Sequence, residues 1–371
     1  MPASASNARH EYTLELATSP DDLAYHRASW KSLVEAGVGP NVYMTPEFLE
    51  ANIRFVQSEP YVVAFLYRDV PARDRHLVAV AAFCRKPPTW KRPFTHLVPL
   101  ANRYFWDPTP LIHPDSEEEI WDALISQLAD PRQPWRTAEL VVSDDAELPE
   151  PSGLTSVWDA PSLTGLHKPL SREVYNRRRN ASSLKSERRR RRQLNKQGNV
   201  VVTQETQGTQ RMLEEFLALE SAGWKGERGT AMLSRDSDTI FLRDMASSMD
   251  RKGRLVFITL RLDKELIGAS LMLRVGTALH AFKLCYDERL RKYSPGLLTA
   301  AASIDYFLAS DSLMTMTAGG SPDSWQSRFF LDGLPRKAIH VAQDRTLPKQ
   351  YARGVWIWRG LRAQLRRRTR A

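Results

Sequence analysis

Apolar and polar positions change period several times along this chain, and each change marks an element. Residues 1–10 show no period and are expected as a disordered leader. From Tyr12 onward the alternation predicts a strand, and spacing of three to four residues then predicts helices over 21–36 and 46–56. Two mainly apolar runs, 61–68 and 76–84, read as strands joined by a turn-like segment. A long connection rich in Pro, Trp and other aromatics follows at 86–114, then a helix at 117–128 and a strand at 138–142. Pro, Ser and Gly crowd residues 144–169, which read as an inter-domain crossing, and residues 171–198 form a very basic helical stretch ending at Gly198. A second run of the same kind begins there. It comprises a strand at 199–205, helices at 209–222 and 236–250, and a meander of three strands at 254–262, 266–274 and 279–287. Leu297, Leu298, Ala301, Ile304, Phe307 and Leu308 then recur at helical spacing. A strand at 313–317, a short helix near 325–330, a last strand at 337–342 and a basic helical tail at 351–371 complete the pattern. The order of elements predicts two mixed α/β units. One spans 11–165 and the other 200–345, with a basic linker helix over 166–199 and a basic C-terminal helix over 346–371.

The junction of the third meander strand with the following helix carries the clearest chemistry. Ser294 is a favoured N-cap residue and Pro295 suits the first helical position. A helix N-terminus offers free backbone N–H groups and the positive end of the helix dipole, a ready site for phosphate. Arg289, Arg291 and Lys292 add positive charge in the same loop, with Tyr293, Gly296 and Leu297 beside them. The plainer reading is an ordinary strand-to-helix turn with a solvated basic loop. The first unit has no such basic loop before its helix, so a cofactor is not expected there. Strand alternation puts Lys283, Cys285 and Asp287 on one face, and Phe282, Leu284 and Tyr286 on the other. A lysine between Phe and Leu needs an anionic partner or ligand if it is buried. Lys283 and Asp287 therefore either bind and orient a ligand or form a structural ion pair. Glu220, at the end of its helix, is either a general base or a solvated carboxylate.

Composition narrows the field. Apolar residues at 42% and charged residues at 26% describe a soluble globular protein, and no apolar run reaches the length of a membrane span. The two cysteines, Cys84 and Cys285, lie in separate apolar runs and read as buried thiols in a reducing, cytoplasmic compartment. The histidines are scattered without ligand spacing, so no metal is expected. A net charge of +10 favours anionic partners: phosphate-bearing ligands, nucleic acid or a membrane surface, the last as a peripheral contact. The arginine run 188–192 spans more than one helical turn, so its charges point several ways. It reads as a solvated or inter-domain face rather than a specific nucleic-acid site.

Three segments taken together resemble a known family. Trp224, Lys225, Gly226, Arg228, Gly229, Thr230 and Ala231 form one, with Glu227 inserted. Lys283, Tyr286, Asp287 and Glu288, followed by Ser294, Pro295 and Gly296, form the second, and residues 317–341 the third. Across 170–345 these resemble the CelD-like branch of the GNAT acyltransferases, related to the Fem-type peptidyltransferases. One departure stands out: many relatives carry an Asp in the strand before the last motif, where this chain has Thr317, with Asp323 in the turn beyond. The resemblance implies two tandem GNAT-like mixed-sheet α/β domains, the second binding acetyl-CoA or another acyl-CoA without a metal. It implies acyl transfer to an amine or hydroxyl of a small molecule or saccharide, by direct attack because no Ser or Cys is visibly paired with a His. Arg289, Arg291, Lys292, Tyr293, Ser294, Pro295, Gly296 and Leu297 are then the cofactor loop. Lys283, Asp287 and Glu220 are the catalytic candidates, and Trp224, Lys225, Tyr286, Asp323 and Trp325 shape the acceptor cleft. Core packing is the alternative for the two tryptophans. Two other functions remain open at this point: aminoacyl transfer from charged tRNA, and a non-catalytic role in polysaccharide biosynthesis.

Overall fold

A computed structural model describes residues 11–343, apart from 38–40, 70–74, 91, 147, 149–154, 170 and 320–324. The expected leader, the basic C-terminal helix and Asp323 lie outside the described residues. The first half runs β1 (Glu11–Ala17), α1 (Pro20–Glu35), α2 (Pro46–Phe55), β2 (Tyr61–Asp69), β3 (His76–Lys86), β4 (His96–Pro99), β5 (Leu111–Ile112), α3 (Glu117–Leu128) and β6 (Thr137–Ser143). Then come β7 (Thr155–His167), α4 (Arg172–Arg178) and α5 (Ala181–Asn195). The second half runs β8 (Val200–Glu205), α6 (Gln210–Ala222), α7 (Trp224–Glu227), α8 (Asp236–Asp250), β9 (Leu255–Leu262), β10 (Glu265–Val275), β11 (Ala278–Tyr286), α9 (Pro295–Ala309), β12 (Thr315–Ala318) and β13 (Asp332–Ala342).

Local chemistry sets the element ends. Ser19 and Asp22 close a capping box on α1, with Pro20 in its first turn, an arrangement worth about 1 kcal/mol. Strands β2 and β3 read as nearly continuous apolar runs because both of their faces are covered. Val63, Phe65 and Val80 meet Leu23 and Trp30 of α1 and Phe48 of α2, while Val62, Ala64 and Ala79 meet Ile120, Trp121 and Leu124 of α3. The second half repeats the arrangement. Phe257 and Leu271 face Phe216 of α6 and Phe241 of α8, while Ile258 and Met272 face Ile304 and Phe307 of α9. The α1, α2, α6 and α8 layers share one core, so the halves are joined on that side.

All strands belong to one mixed sheet in the order β1-β2-β3-β4-β6-β13-β7-β12-β11-β10-β9-β8, with β5 on β3. The fold is α/β, two tandem GNAT-like units side by side, but their final strands are exchanged. Strand β13 lies antiparallel to β6, with Ile339 opposite Leu140. Strand β7 lies antiparallel to β12, with Leu166 opposite Met316. Side chains follow their strands: Ile339 and Val341 fill the α3 core of the first half, and Leu166 fills the α9 core of the second. The segment 144–169, expected as a crossing without structure, thus contains a strand that delivers its residues to the other half. Among the described residues no helix is long and apolar enough to cross a membrane. Cys84 and Cys285 are both buried and free.

Candidate active site

Helix α9 starts on a loop that leaves backbone donors exposed. Asp287 begins the loop as the N-cap of a 3-10 turn, Glu288–Tyr293, and accepts the Arg289 N–H at 2.9 Å. Arg289 also places Nη2 2.7 Å from the Asp287 carboxylate, and this bonding holds that carboxyl below its ordinary value. The expected meeting of Lys283 and Asp287 does not occur, because Asp287 is committed to the turn. Arg289 is drawn out with it, its side chain 81% exposed and away from the cavity described below. Ser294 does sit at the N-cap of α9, but in the left-handed conformation (φ 53°, ψ 56°), and its hydroxyl caps nothing. Its carbonyl instead takes the N–H groups of Leu297 and Leu298 at 3.1 and 3.2 Å. No hydrogen bond reaches the Gly296 N–H among the described residues. A side chain at 296 would be impossible without movement, since its Cβ would stand 2.7 Å from Tyr286 Cδ1. The glycine lets the helix start close down on the Tyr286 ring.

Strand β11 supplies the floor. It pairs in parallel with β12 only over Ala278–Ala281, then runs on to Tyr286 with no strand on that side among the described residues. Its other side stays paired with β10, and the register slips between Leu271 and Met272 so that Phe282 is an extra residue. This bulge breaks the alternation expected from the sequence. Phe282 packs with Cys285 in the α6/α8 core rather than with Leu284. Lys283 lies on the same side, with Nζ 5.2 Å from the centre of the Tyr104 ring. The bulge thus aims two consecutive side chains at the first half of the protein.

Glu220 organises this region. Its side chain is wholly buried, and Oε1 accepts from Lys225 Nζ at 2.9 Å and from Lys283 Nζ at 3.3 Å. Oε2 accepts the Met232 N–H at 2.9 Å. Burial alone would raise the Glu220 pKa, but Lys283, Lys225 and the Met232 N–H outweigh it and hold the carboxyl below its ordinary value. So engaged, Glu220 anchors two lysines. Lys283 is pulled below its ordinary value, chiefly by burial, with Glu220 acting against the fall. Lys225 also donates to the Leu284 carbonyl at 3.0 Å, on the strand edge that β12 leaves free.

These groups converge on a cavity of about 620 Å³. Gly296, Leu297, Arg291 and Ser294 line the end at the start of α9, and Tyr286, Leu284 and Lys283 its floor. Trp224 and Trp325, 41% and 48% exposed, stand at its rim, so neither is a core residue. Lys292, Tyr293 and Pro295 stay behind the loop: Lys292 Nζ lies over the Tyr293 ring at 4.8 Å, and Tyr293 is buried. Trp106 and Arg328 are among the lining residues that the sequence did not point to. Trp106, from the aromatic-rich connection of the first half, forms the far wall against Phe282, with ring centres 5.9 Å apart. Gly319 beyond β12 makes room for it, since a Cβ there would lie 1.6 Å from Trp106 Cε3. Arg328 also lines the cavity, and no described residue neutralises it or Arg291. The density of Trp and Phe around 104–106 was the available signal for the wall; nothing in the sequence tied it to the second half.

Residues 181–327 match the family model of the acetyltransferase (GNAT) domain, a span that includes the cavity floor and the loop that leads into α9. Solved structures with the same fold include FemX, at TM-score 0.51 and 11% identity over 88% of this chain and 96% of that one. A conserved protein of unknown function from Bacteroides thetaiotaomicron gives TM-score 0.52 and 8% identity, over 85% of this chain and 97% of the other. The C-terminal domain of a putative lysylphosphatidylglycerol synthetase from Agrobacterium fabrum gives TM-score 0.50 and 9% identity, over 86% and 92%. No curated protein matches the chain in sequence. The protein is an enzyme of the acyltransferase class.

Proposed function

We propose that the chain transfers an acyl group, acetyl in the first instance, from acyl-CoA to an amine or hydroxyl of a small-molecule or saccharide acceptor. The observation that carries this reading is the convergence of a free helix N-terminus, an unpaired strand edge and a buried ammonium group on one cavity. The residues fit an acyl-CoA. The Gly296 N–H and Arg291 suit its diphosphate, and the free edge of β11 beyond Ala281 suits its amide-bearing arm. The acyl-CoA supplies the activated acyl group. Lys283 Nζ, buried and held by Glu220, is placed to meet negative charge developing on the acyl oxygen. Trp106, Trp224 and Trp325 border the space left for the acceptor, which gives the first half an acceptor-shaping role. Among the described residues no His, Asp or Glu lines the cavity. The acceptor therefore arrives as a free amine or loses its proton to solvent, and it attacks directly. The Trp224 segment and the Ser294–Gly296 turn favour the CelD-like branch, and with it a cytoplasmic enzyme of polysaccharide biosynthesis.

A second reading, aminoacyl transfer from charged tRNA, is favoured by one feature. Lys185, Arg188, Arg189, Arg192 and Lys196 line a groove on the outer face of α5. Calorimetric titration separates the two. Saturable micromolar binding of acetyl-CoA, with thiol release on adding acceptor amines, supports acyl-CoA transfer. Retention of charged tRNA at physiological salt without acetyl-CoA binding overturns it in favour of the second.

A further inference from the structure

Resting on the acyl-CoA reading of the cavity, we propose that Arg190 is a positioning residue that holds the phosphate-facing loop in its binding conformation. The arginine run is not one feature. Helical geometry divides it, sending Arg188, Arg189 and Arg192 to the outer groove and Arg190 inward. Leu194, four residues on and on the same face, is fully buried against Tyr293 and Leu298, so α5 docks on the underside of the loop and on the first turn of α9. One turn earlier, Arg190 Nη1 donates to the Lys292 carbonyl at 3.3 Å and to the Ser294 hydroxyl.

Ser294 needs such a hold. A left-handed conformation is unfavourable for any residue with a Cβ, and a following proline disfavours helical geometry at the residue before it. Ser294 carries both handicaps, with φ 53° and Pro295 next. Its hydroxyl gives no cap bond in compensation. The guanidinium grips the hydroxyl of the strained residue and a carbonyl two residues before it, which fixes the entry into α9. That entry is what turns the Gly296 N–H away from the helix and toward the cavity. The distant charge run thus contributes one side chain to cofactor binding by fixing backbone conformation.

The test uses full-length protein and acetyl-CoA, comparing wild type with Arg190→Gln, Ser294→Gly, the double variant and Arg189→Gln. Releasing a strained residue of this kind is expected to weaken acetyl-CoA binding about tenfold in Arg190→Gln. KM for acetyl-CoA should rise in step, while kcat at saturation changes by no more than about twofold. Glycine accepts the left-handed conformation without strain, so Arg190→Gln/Ser294→Gly should recover affinity to within about threefold of wild type. Arg189→Gln should match wild type throughout. Hydrogen exchange of the Leu297 and Leu298 amides in ligand-free protein gives a readout that needs no cofactor. It should quicken in Arg190→Gln and return in the double variant. Failure of wild type to bind acetyl-CoA defeats the reading of the cavity, and the exchange data still decide the clamp. Unchanged exchange and affinity in Arg190→Gln, or a defect that Ser294→Gly leaves in place, overturns the proposal.

Discussion

Replacing Glu220 by Gln removes the anion that Lys225 and Lys283 share. The carboxylate side chain is 0% exposed and the two lysine side chains are 23% and 12% exposed, so little solvent is available to take over its role. An amide there keeps one acceptor oxygen for the Met232 N–H but turns an NH2 group toward two ammonium groups. Breaking a buried ion pair from one side costs about 3 kcal/mol, or on the order of 5 °C in melting temperature for a chain of this size. The pH dependence identifies the cause. Glu220 has a folded pKa below its ordinary value of 4.5, so its contribution is fully present above that value and is lost as pH falls through the folded pKa. The melting difference between wild type and Glu220→Gln should therefore be largest near pH 7 and shrink in acid, where both side chains are neutral. Paired thermal scans between about pH 7 and pH 3 measure it. A difference that stays constant over that range would refute the argument, because it would trace the loss to packing rather than to charge.

Lys283→Met should reduce turnover at least tenfold, about 1.4 kcal/mol of transition-state stabilisation, with acetyl-CoA affinity nearly unchanged. Asp287→Asn should do the reverse, lowering the melting temperature by loosening the 3-10 turn while folded protein keeps its kcat; equal kcat losses in the two variants would restore the pairing that the geometry denies. Gly319→Ala should displace the Trp106 wall and raise KM for the acceptor more than KM for acetyl-CoA, which steady-state kinetics with each substrate varied will show.

Much of the site was legible because it is local in sequence. Ser294, Pro295 and Gly296 with Arg291 sit within one turn of one another, and the helix that follows has an unmistakable apolar spacing. What was hidden depends on contacts distant in sequence. Glu220 looked like a free helix-end carboxylate because nothing nearby reveals that Lys283 closes on it across the α6–β11 interface. Alternation misplaced Phe282 because a bulge is a property of the pairing with β10, not of the β11 sequence. Asp287 carries a local signal that was misread: an Asp two residues before an Arg, entering a turn, is a capping residue before it is a catalytic one. The exchange of β7 and β13 was invisible because β7 lies in a Pro-, Ser- and Gly-rich segment that read as a crossing, and the pattern of β13 says nothing of its neighbour.

That exchange also sets an order of events during synthesis. Residues 11–143 leave the ribosome with β6 unpaired on one edge, and the strand that covers that edge, Asp332–Ala342, is made about two hundred residues later. At roughly 5–20 residues per second, the first half waits ten seconds or more with an open sheet edge. Such an edge is a template for wrong partners, including the same edge on a neighbouring nascent chain. Strand β7, already translated, is the nearest substitute within the chain, and its occupation of that place would have to be undone before β13 could enter. The finished enzyme is therefore expected to depend more on chaperone protection the slower it is translated, and slowing the codons between β6 and β13 should lower its soluble yield.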